Sequence, residues 1–252
     1  MAIPNAVMPP DGPERLLVRG VDGCPAGWIA VTIAAEGTLA PCVTITRDFA
    51  ELTEGVEKIA VDMPIGLPEH SGTGGRGPER LVRPLIGERQ SSVFSVPSRR
   101  AVFCDDYRDA CAAALDTSDP PRMVSKQAFH LFPKIREIDR LLRARPDLIA
   151  RVFEVHPELA FWRIGGERPL PLPKKVKSRG HAPGLALRRD LLAAAGYPEA
   201  FLERSPRGAG LDDLLDASVN ALVARRLLAG IAQSLPDPPG RDAHGLPVAI
   251  WS

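Results

Sequence analysis

The chain has 252 residues, 44% apolar and 25% charged, enough to bury a substantial core and too apolar for intrinsic disorder. With 32 basic and 31 acidic side chains the net charge is +1, which excludes a polycation that coats nucleic acid or membrane by charge alone. The 22 glycines and 26 prolines show no three-residue period, which excludes collagen and forecasts many loops.

In chain order, residues 1–15 read as a flexible leader, with neither the basic start nor the apolar run of a signal peptide. Leu16 to Asp22 and Trp28 to Ile33 read as strands joined by the turn-rich Gly23-Cys24-Pro25-Ala26-Gly27, a hairpin. Residues 41–46 suit a third strand, and Asp48 to Val56 a short acidic helix. Lys58 to Asp62 suits a buried fourth strand stopped by Pro64 and Gly66. The order so far is βββαβ. From about Gly72 to Ala150 the pattern turns helical and basic, most clearly from Ser125, a suitable N-cap, to Arg145. This stretch reads as a helical insertion before a fifth strand at Arg151 to His156. A loop rich in proline, glycine and lysine follows from Arg163 to Gly184, then helices at Leu185 to Ala195 and Leu211 to Leu228. Pro236 to Gly245 reads as loop and Pro247 to Trp251 as a last short strand. The expectation is one α/β domain over residues 16–252, built on a mixed sheet with helical additions.

The acids are informative by position. Asp22 ends the first strand beside Gly23, and Asp62 ends the fourth beside Met63-Pro64. An acid at such a place is held on rigid backbone at the rim of a cleft, where α/β sheets tend to place their chemistry. It is also where a turn-capping aspartate would stand. Leu211 to Ala217 opens the last long helix with Leu211, Leu214, Leu215, Ser218 and Leu222 on the packed stripe. Asp212, Asp213 and Asp216 crowd its border. Aspartates in a first turn are ordinary helix-start chemistry, and three so close also repel one another in a way a divalent cation would relieve. Glu154, His156 and Glu158 would share one strand face, metal-binding or solvated, although Pro157 interrupts the alternation.

Cys24, Cys42, Cys104 and Cys111 form no CxxC or CxxCH pattern, so zinc, haem and thioredoxin-like chemistry have no anchor. Free thiols fit a reducing compartment, and no stretch approaches a membrane span, so the expected location is cytoplasmic with no membrane partner. Acids without a cysteine set favour Mg²⁺ or Mn²⁺, and such ions suit phosphoryl chemistry. Three segments, 76–100, 122–145 and 163–189, carry a local basic excess that suits phosphate backbones or solvated faces. The glycine-rich Gly72 to Gly77 lacks the P-loop Gly-Lys-Ser/Thr, and Ser91, Ser92 and Ser95 lie in no Gly-x-Ser-x-Gly elbow.

Taken together, six stretches resemble a family of predicted RNase H-like nucleases that began as a domain of unknown function. They are Val21 to Trp28, Val61 to Pro68, Ser91 to Arg99, Ser125 to Phe129, Phe153 to Glu158 and Asp212 to Ala217, and the likeness runs from about Val18 to Gly230. The resemblance implies an RNase H-like mixed sheet in which acids from the first strand, the fourth strand and a late helix meet around divalent metal. On it, Asp22, Asp62, Asp213 and Asp216 become metal ligands, and Glu154 an added catalytic candidate. Asp213 and Asp216 are similar to the closing Asp-x-x-Asp-Ala of Holliday-junction resolvases of the RuvC type. Lys126, Arg76, Arg80, Arg99 and Lys177 are the candidate phosphate contacts. The expectation is a Mg²⁺- or Mn²⁺-dependent nuclease acting on DNA or RNA. Its alternatives are sugar-kinase or actin-like phosphotransfer and a nucleic-acid-binding module without catalysis; monomer and homodimer are both left open.

Overall fold

The computed structural model describes residues 16–177 and 179–252, so the leader assigned to 1–15 lies outside the described residues. The central feature is a five-stranded mixed sheet. Its strands are β1 (Leu17–Cys24), β2 (Gly27–Ala34), β3 (Cys42–Thr46), β4 (Lys58–Val61) and β5 (Val152–Glu154), in the spatial order β3-β2-β1-β4-β5. β1, β2 and β3 form an antiparallel meander, while β4 runs parallel to β1 and β5 parallel to β4.

Alternation along the strands sorts the two faces. Val21, Trp28, Ala30, Ile59 and Val61 point into one core, whereas Val18, Ile29, Val31, Ile33 and Ala60 point into the other. Successive residues facing opposite layers give the continuous apolar runs of strands buried on both sides. Between β4 and β5 come α1 (Gly77–Ile86), α2 (Arg99–Val102), α3 (Tyr107–Asp116) and α4 (Lys126–Ala144). Far from being an appendage to the sheet, this segment forms one of its covering layers: Phe132, Ile135, Ile138 and Leu142 of α4 fill the first core. Ser125 caps α4, its hydroxyl accepting from the Ala128 N–H at 3.2 Å.

After β5 come α5 (Pro157–Ile164), α6 (Ala182–Ala194), α7 (Glu199–Leu202) and α8 (Leu211–Leu228). Pro157, which would break a strand, instead begins α5 and removes Glu158 from the strand face. α8 lies across β1 in the second core. Its approach is so close that a Cβ on Gly20 would stand 2.0 Å from the Ala221 nitrogen, so only glycine fits there. Leu214 through Ala221 are all buried, a wider face than the expected stripe, and Asp216 is inside it.

Besides α5 and α7, which the sequence pattern does not show, two elements differ in kind from the sequence expectation. The helix expected at 48–56 is a single 3₁₀ turn, Phe49–Thr53. Its carbonyls are taken from outside, Leu52 by Arg19 and Thr53 by Arg151 at 2.7 Å, and Gly55 at φ 70° turns the chain away. The loop expected at 236–245 is largely β6 (Ser234–Arg241), paired antiparallel with β7 (Pro247–Trp251). Prolines 236, 238 and 239 lack N–H donors, so the ladder skips from Leu235 to Gly240 and hides the strand from a pattern search. Among the described residues no helix is long and apolar enough to cross a membrane.

Candidate functional site

The C-terminal ends of three adjacent parallel strands set the site. Val21 pairs with Val61, and Val61 with Glu154, so Asp22, near the end of β1, and Asp62, just past β4, stand side by side with Glu154 one strand further. The Val21 carbonyl accepts from the Asp62 N–H and from Asn220 Nδ2, each at 3.0 Å. One oxygen thus ties β1, β4 and α8 together immediately behind the acids. Asp216, on α8 one turn before Asn220, is thereby aimed at the same place.

These groups line a cleft of about 630 Å³, with Asp22, Asp62, Glu154, Asp213 and Asp216 all on its wall. Asp216 is 1% exposed, and its Oδ1 is buried with no hydrogen-bond partner among the described residues. Burial, reinforced by Asp62 and Asp216, raises the Asp22 carboxyl well above the usual carboxylate range. Burial also pushes Asp62 to about 7 against the pull of Lys174, and Asp216 to about 6 against the same ammonium. Asp213 is raised more modestly; burial lifts it while the Gly210 N–H, donating to its Oδ2 at 2.8 Å, lowers it. It therefore caps α8 as well as lining the cleft.

Two cations of the chain's own stand among these acids. Lys174, on the irregular segment between α5 and α6, donates to Asp216 Oδ2. Burial pulls its pKa down, but Asp216, Asp22 and Glu158 outweigh that and hold it charged. Arg76 holds Glu154 at 2.5 Å and Glu79 at 2.7 Å, and donates to the Ile65 and Gly66 carbonyls at 2.7 and 2.8 Å. Glu154 also accepts from the Ile65 N–H at 2.7 Å, and burial nonetheless pushes it to about 7 against Arg76. Behind it, Arg188 holds Glu158 through both oxygens at 2.6 and 2.7 Å. Burial lowers His156 to about 4, leaving a neutral imidazole whose Nε2 is 3.4 Å from Ser92 Oγ. Among the described residues no set of three or more His, Cys, Asp or Glu side chains is arranged as a ready cage for a metal.

The expected phosphate contacts do not gather. Arg76 is a buried strut between Glu79 and Glu154. Arg99 binds Asp139 at 2.8 and 2.9 Å and Asp242 at 2.8 Å, so both of its terminal nitrogens are taken by the chain's own acids. Arg80 is exposed and donates to the Gly75 carbonyl, on the wall of a separate cavity. Lys126 is exposed beside Gln127, which does line the cleft, and Lys177 is exposed in the turn between two short strands. The cationic residues that line the cleft are Lys134, Lys174 and Lys175. Lys134 donates to the Gly27 carbonyl at 2.6 Å with its ammonium 4.6 Å from the Trp28 ring, and Lys175 pairs with Asp212 at 2.5 Å. No motif singled these lysines out. They fall only within the basic segments 122–145 and 163–189, which carry twelve other lysines and arginines besides a loop-like composition around Lys174 and Lys175.

A family model described as a protein of unknown function (DUF429) matches residues 20–241. The chain belongs to that family. The DUF429 match takes in the second half of β1, all of β4, β5 and α8, and with them each of the five acids. No curated protein and no solved structure matches the chain.

Proposed function

We propose that this DUF429 chain is a divalent-metal-dependent phosphodiesterase acting on nucleic acid, with an RNase H-like sheet. The strand order supports the fold reading: an antiparallel meander extended by two parallel strands, with the acids at the parallel ends. One observation carries the chemistry. Asp22, Asp62 and Asp216, from three elements, face one cleft, and a buried carboxylate oxygen of Asp216 has no hydrogen-bond partner there among the described residues.

An oxygen-only donor set of this kind suits Mg²⁺ or Mn²⁺, and the raised acids are those whose mutual repulsion such an ion would relieve. Asp22, Asp62 and Asp216 would hold it, with Asp213 at the margin. When bound it would polarise the phosphoryl oxygen and supply a more acidic water. The chain's own residues do the rest. Asn220 and the Val21 carbonyl fix the spacing of the acids, and Arg76 keeps Glu154 against the Ile65 backbone. Lys134 and Lys175 offer cationic contacts for flanking phosphates at the mouth. Overall, water adds across one phosphorus–oxygen ester bond, leaving a phosphate monoester and a free hydroxyl. The four cysteines are free, in keeping with a reducing, cytoplasmic setting.

The test is cleavage of single- and double-stranded DNA and RNA with Mn²⁺ or Mg²⁺. Asp22→Asn and Asp62→Asn are each expected to lower the rate by about 10²-fold or more, since each removes a carboxylate from the charge-stabilising set. Cleavage undiminished in both variants would defeat the assignment. The Lys174–Asp216 pair favours one second reading, a nucleic-acid-binding module whose acids are already compensated. Such a module would bind nucleic acid with a salt-dependent affinity and take up no Mn²⁺ in calorimetry.

A further inference from the structure

We propose that Lys174 takes the place of a second metal ion, so that the cleft holds a single divalent cation beside a fixed ammonium. This rests on the metal-dependent reading above and specifies its stoichiometry.

Lys174 is not a loose surface lysine. On one side of it, the Leu172 carbonyl accepts from Arg188 at 3.1 Å, and the Pro173 carbonyl lies 3.1 Å from His181 Nδ1. The Pro173 carbonyl also fits so closely against Gly184 that a Cβ there would meet it at 1.9 Å. The Lys174 carbonyl itself accepts from the His181 N–H at 2.8 Å, and Lys175 is paired with Asp212. The backbone is thus anchored on both sides of an ammonium that reaches Asp216. A side chain so held is a permanent part of the cleft's charge.

The charges then limit what else can enter. Glu154 is held by Arg76, Glu158 by Arg188, and Asp213 by the start of α8, leaving Asp22, Asp62 and Asp216 as the central set. With Asp213 and Lys134 of the cleft wall counted as well, four carboxylates and two ammonium groups carry a formal charge of −2, which one divalent ion neutralises. A second ion would drive the same buried set to +2 with Lys174 still in place, an arrangement that low dielectric penalises strongly. Asp216 shows the same division: one oxygen is taken by Lys174, and the other has no partner among the described residues. Two-metal sites set their cations about 3.5–4 Å apart across shared carboxylates, one near the attacking oxygen and one near the leaving oxygen. Asp216 shared between an ion and Lys174 would reproduce that pairing. Lys174 neutralises charge at one of those oxygens and transfers no proton.

The experiment is a Mn²⁺ titration of the full chain, followed by calorimetry and by the loss of the free-ion electron paramagnetic resonance signal. The wild type and Lys174→Arg are expected to bind one ion per chain, and Lys174→Met two. Two ions on the wild type, or one on a folded Lys174→Met, would overturn the proposal while leaving metal dependence standing. Absence of Mn²⁺ binding by the wild type would remove the metal reading itself and this inference with it. Should Lys174→Met not fold, acylation of amines in the wild type decides. Lys174 is expected to stay protected at saturating Mn²⁺, and labelling that rises with the ion would mean that the metal expels the ammonium, contrary to the proposal.

Discussion

Asp62 gains a proton on folding. Its carboxyl titrates near 3.8 in an open chain and at about 7 in the folded protein, chiefly through burial. Between these values the folded form binds the proton that the unfolded form has released, so stability falls as pH rises through the window and levels off above it. In a chelator, the melting temperature of the wild type is therefore expected to decline from pH 5 to pH 8. Asp62→Asn, which removes one contributor, should decline less and be more stable at pH 8 by on the order of 1 kcal/mol, about 2–4 °C. Identical pH slopes for the two proteins would show that Asp62 keeps its open-chain acidity. The positions of Asp22, Asp62 and Asp216 were legible because an acid closing an apolar run, or opening a leucine-striped helix, stands out locally. Lys174 was not, since it is one of eight basic residues between Arg163 and Arg189 and its partner lies 42 residues away. The burial of Arg76 is illegible for the same reason: Glu154, which it pairs with, is 78 residues further on.

At the scale of elements, the contact of β1 with α8 decides whether the acids can meet. Gly20 has no side chain, and the Ala217 carbonyl and Ala221 nitrogen occupy the space one would need. Gly20→Ala is expected to cost more than about 4 kcal/mol in urea denaturation, as overpacking against the rigid backbone of α8. A loss under about 1 kcal/mol would mean that the helix can slide away from the strand. The hydrophobic period made α8 readable to its boundaries, Leu211 and Leu228. It failed where the deciding contacts come from distant residues. The turn at Phe49–Thr53 carries a helical pattern, but guanidinium groups of Arg19 and Arg151 take carbonyls that a longer helix would use. β6 carries a loop-like composition, yet its two ends find partners on β7.

Across the whole molecule, long-range ion pairs join the layers. Arg99 links α2 to Asp139 on α4 and to Asp242 in the turn between β6 and β7. Both carboxylates are almost wholly shielded from solvent, so Arg99→Met leaves Asp242 without its cation and Asp139 with Arg143 alone, 3.5 Å away. The expected cost is about 3–5 kcal/mol, read as a lowered urea midpoint. An unchanged midpoint would show that Arg99 is free for another role. Such pairing also explains why segments dense in arginine by sequence present less positive surface than their composition suggests: Arg136 is bound to Asp105, Arg145 to Asp147 and Arg163 to Glu167.

The placement of α8 across the sheet also bears on biosynthesis. Ile29, Val31, Ile33 and Ala60 are covered in part by a helix that begins only at residue 211. A nascent chain on the ribosome therefore carries β1 to β5 with one sheet face bare until that helix emerges, a sticky intermediate of the kind chaperones attend. The same delay means that Asp216 reaches Asp22 and Asp62 late in translation, so incomplete chains lack the acid cluster.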